Sequence, residues 1–491
     1  MGSKTIRKSE WFAIVAHRFS ARYPAVDSSA FPVPSPATTV MMQSKRQGLA
    51  RKIPTPLQGC PGSRLLRISS ILLLGFSLLS RTGIAQDTAT PHVDALSENR
   101  PAPPSPSSRS WLPWDGDRLT GDWGGARTDL QERGIEIQGT YTLDLSLVFE
   151  GGVRRRSAER GLLSLQFGFD LDELVGLEGG TLFADFQAFD GRDGSQDTGD
   201  FQVYSNIDAH DFAVLYECWY QQTFMEERIR LKVGKVDSNS EFAASEHGGE
   251  FMHGSFGFSP TLLDFPSYPE PATSVNLWFY PAASLELGYG FYDGDLRKGT
   301  PTGRRGPSSF FSGPQNFVHF GEIGFRWESA GSRTGRLGLG LWHHSGTFLG
   351  FDGTSRAGST GVYMVLDQWI FREHPDLEED DQGWALSFQF GWSDPNVASV
   401  DQHYGLGIIG RGLIDGRDRD TLGLGASLVH FSQEQAAGFS EDSELAIEAF
   451  LGIQLTSWAR IQPDLQYILH PGGDSTLDDV WVGSLRIVIE Y

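Results

Sequence analysis

Ser443-Glu-Leu-Ala-Ile-Glu-Ala-Phe-Leu-Gly-Ile-Gln-Leu-Thr456, Ala459-Arg-Ile-Gln-Pro-Asp-Leu-Gln-Tyr-Ile-Leu469 and Trp481-Val-Gly-Ser-Leu-Arg-Ile-Val-Ile-Glu-Tyr491 carry the cleanest hydrophobic pattern in the chain. In the first stretch Leu445, Ile447, Ala449, Leu451, Ile453 and Leu455 alternate with Glu444, Ala446, Glu448, Gly452, Gln454 and Thr456. In the second, Ile461, Leu465, Tyr467 and Leu469 oppose Arg460, Gln462, Asp464 and Gln466; in the third, Leu485, Ile487, Ile489 and Tyr491 oppose Ser484, Arg486 and Glu490. A repeat of two is the repeat of a β-strand. Strands of soluble sandwiches are usually about 5–6 residues long, and these stretches are about twice that, the length of a tilted strand crossing a bilayer. The pattern predicts an inverted barrel, with apolar side chains toward lipid and the Glu, Gln, Arg and Asp face toward water.

Working outward, the first strand shows the same code. Ile135, Ile137, Tyr141, Leu143, Leu145, Leu147 and Phe149 face one way, and Glu136, Gln138, Thr140, Thr142, Asp144 and Ser146 the other. Further strands are predicted near 162–172, 180–190, 212–224, 228–236, 273–280, 284–292, 316–328, 335–345, 360–370, 383–392, 402–411 and 420–431. That makes sixteen, the even number a closed bacterial barrel requires, so the expected fold class is all-β: a 16-stranded antiparallel transmembrane β-barrel over 135–491. Long connections at 191–211, 237–272 and 293–315 alternate with tight ones at 225–227, 281–283 and 457–458, as expected when both chain ends lie in the periplasm. The connection 372–382, with its acidic run Glu378-Glu-Asp-Asp381, is long at an inner position, and marks either a periplasmic protrusion or a strand miscounted.

Upstream of the barrel, residues 119–134 contain Asp122, placed to cap a short periplasmic helix that Gly134 ends. Residues 86–118 are rich in Pro, Ser and Ala and read as a disordered leader. The apolar run Ile68–Leu79 follows Arg64 and Arg67 and precedes Gly83-Ile-Ala85, which predicts a signal peptide over 64–85, too short to span as a helix. Residues 1–63 then read as an upstream extension. Cys60 precedes the signal and leaves Cys218 alone, so no disulfide is expected in the mature chain.

With 39% hydrophobic residues and a mean hydropathy of -0.27, no bundle of membrane-spanning helices is expected in the 491 residues. Of 40 Lys+Arg and 62 Asp+Glu, residues 1–85 hold 12 and 2, leaving 28 against 60 and a mature charge near -32. That balance argues against nucleic acid as a partner. No Gly-x-Ser-x-Gly, His-Glu-x-x-His or paired-Cys motif is present, and Glu246-His247 and His343-His344 read as solvated pairs, so neither enzyme chemistry nor a cofactor or metal is expected. About fifty residues between Ala85 and Ile135 are too few for the plug of a gated receptor.

Three stretches together resemble the carbohydrate-selective porin family of the OprB type. They are Gly121-Asp-Trp-Gly-Gly-Ala-Arg-Thr-Asp-Leu130 with Gly134; Val233-Gly-Lys-Val-Asp-Ser-Asn239 running into Glu241-Phe-Ala-Ala-Ser-Glu246 and Phe251-Met-His-Gly-Ser-Phe-Gly257; and Ile461-Gln-Pro-Asp-Leu-Gln-Tyr-Ile468 with His470-Pro-Gly-Gly473. His253-Gly254, where related sequences tend to show Asn-Ser, and a terminal Tyr in place of Phe depart from the pattern. The resemblance implies passive diffusion of mono- or small oligosaccharides through a barrel in the outer membrane, as a monomer or a homotrimer. The alternatives are a general diffusion porin and an outer-membrane barrel hydrolase. Tyr491 on the last strand is expected to meet the outer-membrane assembly machinery.

A sugar offers hydroxyls and apolar C–H faces, so a pore selecting it needs donors, acceptors and aromatic rings. Alternation points Arg230 and Lys232 inward from one strand and Glu217, Trp219 and Gln221 inward from its neighbour, opposed by Val214, Tyr216, Cys218 and Tyr220. The long connection 237–272, folded into the lumen, would close over them. The expected channel residues are Arg230, Lys232, Trp219, Glu217, Lys235, Asp237, Asn239, Glu241 and Glu246, with Glu448, Arg460 and Gln466 on the last strands.

Overall fold

A computed structural model of the chain describes residues 118–262, 265–312, 316–328, 334–374 and 381–491. The expected upstream extension, signal peptide and, but for Arg118, the leader lie outside the described residues, as do Glu378–Asp380 of the acidic run.

Sixteen antiparallel strands close into one barrel in which every strand pairs with its sequence neighbours and β1 pairs with β16. They are β1 Ile135–Glu150, β2 Ser157–Asp170, β3 Gly180–Gly191, β4 Phe212–Phe224, β5 Ile229–Val236, β6 Ala272–Ala282, β7 Leu285–Asp293, β8 Phe317–Trp327, β9 Gly335–Leu349, β10 Ser355–Arg372, β11 Gly383–Ser393, β12 Val400–Arg411, β13 Thr421–Phe431, β14 Ser443–Thr456, β15 Ala459–Leu469 and β16 Val480–Glu490. The long inner connection joins β10 to β11 without a slip in the count. Closure leaves no unpaired strand edge, which a backbone surrounded by hydrocarbon cannot tolerate.

The two faces separate as the alternation requires. Leu145, Leu147, Phe149, Leu339, Leu341, Leu406, Leu422, Leu424, Ile447, Leu451 and Leu465 are exposed on the outside, whereas Asp144, Glu322, Asp367, Glu444, Glu448, Asp464, Gln466 and Arg486 point inward. The inward polar residues are not bathed in water, however: all eight are buried, because two outer loops fold back into the lumen and cover them.

Where β3 meets β4 the pairing steps from Asp185–Glu217 to Phe186–Leu215, leaving Tyr216 without a partner. This bulge turns Tyr216 inward next to Glu217, against the outward placement that strict alternation assigns it. Tyr216 is buried and its hydroxyl donates to Asp237.

The short helix α1, Ala126–Gln131, ties the first and last strands of the barrel together. Asp122 accepts from the Thr128 amide (3.0 Å) and hydroxyl (2.9 Å), and Gly134 ends the turn at φ 78°. Arg127 stacks over Trp123 and donates to the Tyr491 carbonyl (3.0 Å), while the Tyr491 amide donates to Gly139 (2.8 Å). The helix therefore sits on the seam where the last strand meets the first.

Candidate functional site

The third outer loop, residues 237–271, follows the inner wall across half the barrel and returns. From its root on β5 it meets β8 at Ala243, whose amide donates to Glu322 (3.1 Å), and β10 at Glu246 and His247, whose amides donate to Asp367 (3.0 and 3.2 Å). Glu250 then pairs with Arg411 of β12 (2.6 Å) and Arg460 of β15 (2.9 Å), and the amides of Met252 and His253 donate to Glu448 of β14 (2.7 and 2.9 Å). The return limb stacks Phe256 on Phe251 at 4.2 Å and reaches β8 and β9 through Phe265, which packs against Phe320 and Trp342. The second outer loop, residues 192–211, plugs the other side: Gln202 contacts Glu444 and Ser427, Ser205 and Asn206 contact Asp144 and Arg486, and Asp208 pairs with Arg160.

At the loop root a carboxylate gathers the donors. Glu241 accepts two bonds from Arg230 (3.0 and 2.8 Å), one from Lys232 (2.5 Å) and one from the Trp278 indole (2.9 Å). Arg230 also donates to Gln221 (3.1 Å) and Tyr280 (3.4 Å). Burial alone would raise the Glu241 carboxyl, but Arg230 and Lys232 outweigh it and hold the group at about 2. Trp219 stacks on Phe183 at 4.8 Å and carries the Lys232 ammonium 4.1 Å from its ring centre, so its ring is engaged by protein rather than bare.

Most of the residues expected at the channel meet here. Glu217 accepts the Asp237 amide (2.7 Å), and Asp237 accepts the Asn239 amide (2.9 Å), so these three form the loop's root and brace the cluster. Lys235 does not join them. It pairs with the outward Cys218 of β4, and its ammonium donates to the carbonyls of Leu215 on β4 and Gly303 in the connection between β7 and β8. The alternation that brings Arg230 and Lys232 inward necessarily turns Lys235 out. Glu448 and Gln466 face inward but are fully buried under the loops, Gln466 donating to the Tyr204 carbonyl (2.9 Å); neither lines open water. Arg460 lies across the lumen from Arg230 on the loop's other clamped carboxylate, Glu250.

Several members escape sequence reading. Trp278 and Tyr280 are on the inward face of β6, where alternation would have found them once Glu241 was known to reach that strand. Arg326 and Arg336 flank Glu286, and Arg326 also reaches Glu246 (3.3 Å). Arg326 and Glu246 keep 43% and 52% of their side-chain surface exposed, which makes them the wettest charged pair among the loop's described residues.

A closed sixteen-stranded barrel with an apolar outside and a charged lumen narrowed by an infolded loop defines an outer-membrane porin. Residues 154–491 match the carbohydrate-selective porin, OprB family. Porin B of Pseudomonas aeruginosa is 22% identical over 434 residues, covering 75% of this chain and 90% of Porin B. The high-pH structure of Pseudomonas putida OprB superposes with a TM-score of 0.70 at 19% identity, covering 77% of this chain and 99% of that one; the low-pH structure gives 0.52 at 15% identity, with 77% and 100% covered. The chain belongs to the carbohydrate-selective OprB family and is a sugar-selective porin of the outer membrane.

Proposed function

We propose that sugar selection takes place at the Glu241 cluster, with Arg230 and Lys232 as the donors that meet sugar hydroxyls. The supporting observation is that two wall cations share one loop carboxylate, at 2.8 and 2.5 Å. A throat lined by bare cations would concentrate anions; one in which a carboxylate offsets them keeps hydrogen-bonding capacity while weakening the field that favours ions. A guanidinium has five N–H donors and an ammonium three, so donors remain for a passing hydroxyl after Glu241 is satisfied. Each such contact is weak, which lets the sugar leave.

Replacing Arg230 and Lys232 together by Ala, in protein reconstituted into liposomes, should reduce swelling by sugars relative to amino acids of similar size while single-channel conductance holds or rises. Wild-type sugar flux, discrimination and ion selectivity in the double variant would make these residues wall, with selection elsewhere.

A further inference from the structure

The third loop is held by two interleaved sets of contacts. Its acidic side chains Glu241 and Glu250 go to wall cations, and its backbone N–H groups go to wall carboxylates. The second set is the less expected. Glu448 spends one oxygen on the Met252 amide and the other on the His253 amide (2.7 and 2.9 Å). Asp367 accepts the Glu246 and His247 amides and the Ser245 hydroxyl (3.0, 3.2 and 2.8 Å). Both carboxylates are on strands whose own backbone is already paired on both sides, so the wall's pairing does not depend on these bonds; Glu448 also hydrogen-bonds Asp464 on β15.

The geometry points to Asp367 and Glu448 as positioning residues of the constriction. They bracket the Gly248–Glu250 turn, so the carboxylate that meets Arg411 and Arg460 can reach them only while both anchors hold. Between them the loop has no long helix or strand of its own to keep its shape. Inside a narrow lumen, four amides would otherwise lack acceptors, and an unmet buried donor is costly. Phe251, fully buried between the anchors, then seats against β14 through Phe450 at 5.2 Å, which fixes how far the plate stands from the wall. The groups facing Glu448 are Asp464, Arg486 and His253; those facing Asp367 are Glu246 and His247. This inference rests on the reading that the third loop sets the aperture.

The test is Glu448→Gln and, separately, Asp367→Asn in the full-length protein. An amide keeps the shape but presents an NH2 where one loop N–H needs an acceptor. Each variant that shows the heat-dependent gel shift of a closed barrel is measured in planar bilayers and by liposome swelling with a size series of oligosaccharides. Expected are a rise in single-channel conductance of roughly two-fold with added current noise, and admission of larger oligosaccharides, because the loop plate is released. Glu448→Asp, which keeps a carboxyl acceptor on a shorter arm, should recover part of the wild-type size limit. Wild-type conductance, noise and size limit in either isosteric variant would overturn the assignment; should Glu448→Gln fail to assemble, Asp367→Asn and Glu448→Asp decide alone. The proposed sugar site fails differently: there the Arg230/Lys232 double variant keeps its sugar preference, whatever the anchor variants do to the size limit.

Discussion

The Lys232 ammonium stands 4.1 Å from the centre of the Trp219 ring and 2.5 Å from a Glu241 oxygen. An aromatic face and a carboxylate thus share one cation, and Glu241 holds Arg230 as well. Replacing Glu241 by Gln leaves both cations with only neutral acceptors. Reversal potentials in a salt gradient should shift toward anions, and sugar flux should fall as the throat gains positive charge. An unchanged reversal potential would mean that the cluster does not lie in the ion path.

Acid should leave the charge of Glu241 alone over a wide range. Burial pushes the Glu241 carboxyl up, but Arg230 and Lys232 bring it down to about 2, below the ordinary Glu value of about 4.3. A depressed folded-state value means that the pairing contributes stability above the unfolded value and loses it as pH falls through about 2. Glu250 is likewise held low: burial raises it, and Arg460 and Arg411 outweigh that. Burial takes His253 down to about 3, so it remains neutral over the same interval. Ion selectivity, followed by reversal potential, should therefore be flat from neutral pH to about pH 5 insofar as Glu241 and Glu250 set it.

The outer face can be tested strand by strand. Leu424 is 59% exposed and Ile447 37% exposed on the lipid side of β13 and β14. Leu424→Arg or Ile447→Arg should cost about 2–4 kcal/mol near mid-strand and lower the amount of assembled barrel. Gln138→Arg, on the inward face of β1, should assemble normally. Glu448 does not serve as a neutral comparison for this experiment, because its inward side chain is buried and bound to the loop. Equal loss from all three substitutions would place the lipid on the wrong face.

How much of this was legible in the sequence follows from what each signal encodes. Alternation is local, so the strand count, the closing strand and the faces of Leu445, Glu448 and Arg230 follow from reading residues in pairs. Boundaries were softer: β10 runs on to Ser355 and β2 back to Ser157, where Gly358 and charged residues dilute the pattern. The bulge at Tyr216 was invisible, because one unpaired residue changes the face without changing the composition. The loop's path was hidden for another reason. Glu448 and Asp367 bind backbone N–H groups, which every residue but proline carries, so nothing in the 237–271 sequence singles out their partners. The Glu241 contacts were half legible: cations on β5 and a carboxylate on the loop were both apparent, but their pairing needed the fold.

The return limb offers a last test, because two wall glycines make room for it. A Cβ at Gly425 would stand 2.6 Å from the Phe256 ring and 2.8 Å from Phe251, and one at Gly407 would stand 2.6 Å from Phe251. Both glycines are in mid-strand, on the inward faces of β12 and β13, where a side chain is otherwise the rule. Gly normally weakens a strand, and here it lets two stacked rings lie against the backbone. Phe251 and Phe256 cannot withdraw easily, since both are buried and Phe251 also meets Phe450 edge-on at 5.2 Å. Val at either position is a good strand former, so the barrel should close, but the rings must shift, at a cost of about 1–3 kcal/mol for overpacking. That cost falls on the loop, the part that can move. Gly425→Val and Gly407→Val should therefore keep the heat-dependent gel shift of the closed barrel while narrowing the lumen, with lower single-channel conductance and slower entry of disaccharides than of monosaccharides in liposome swelling. Wild-type conductance in both variants would show that the rings have another place to go and that the plate is softer than its burial implies.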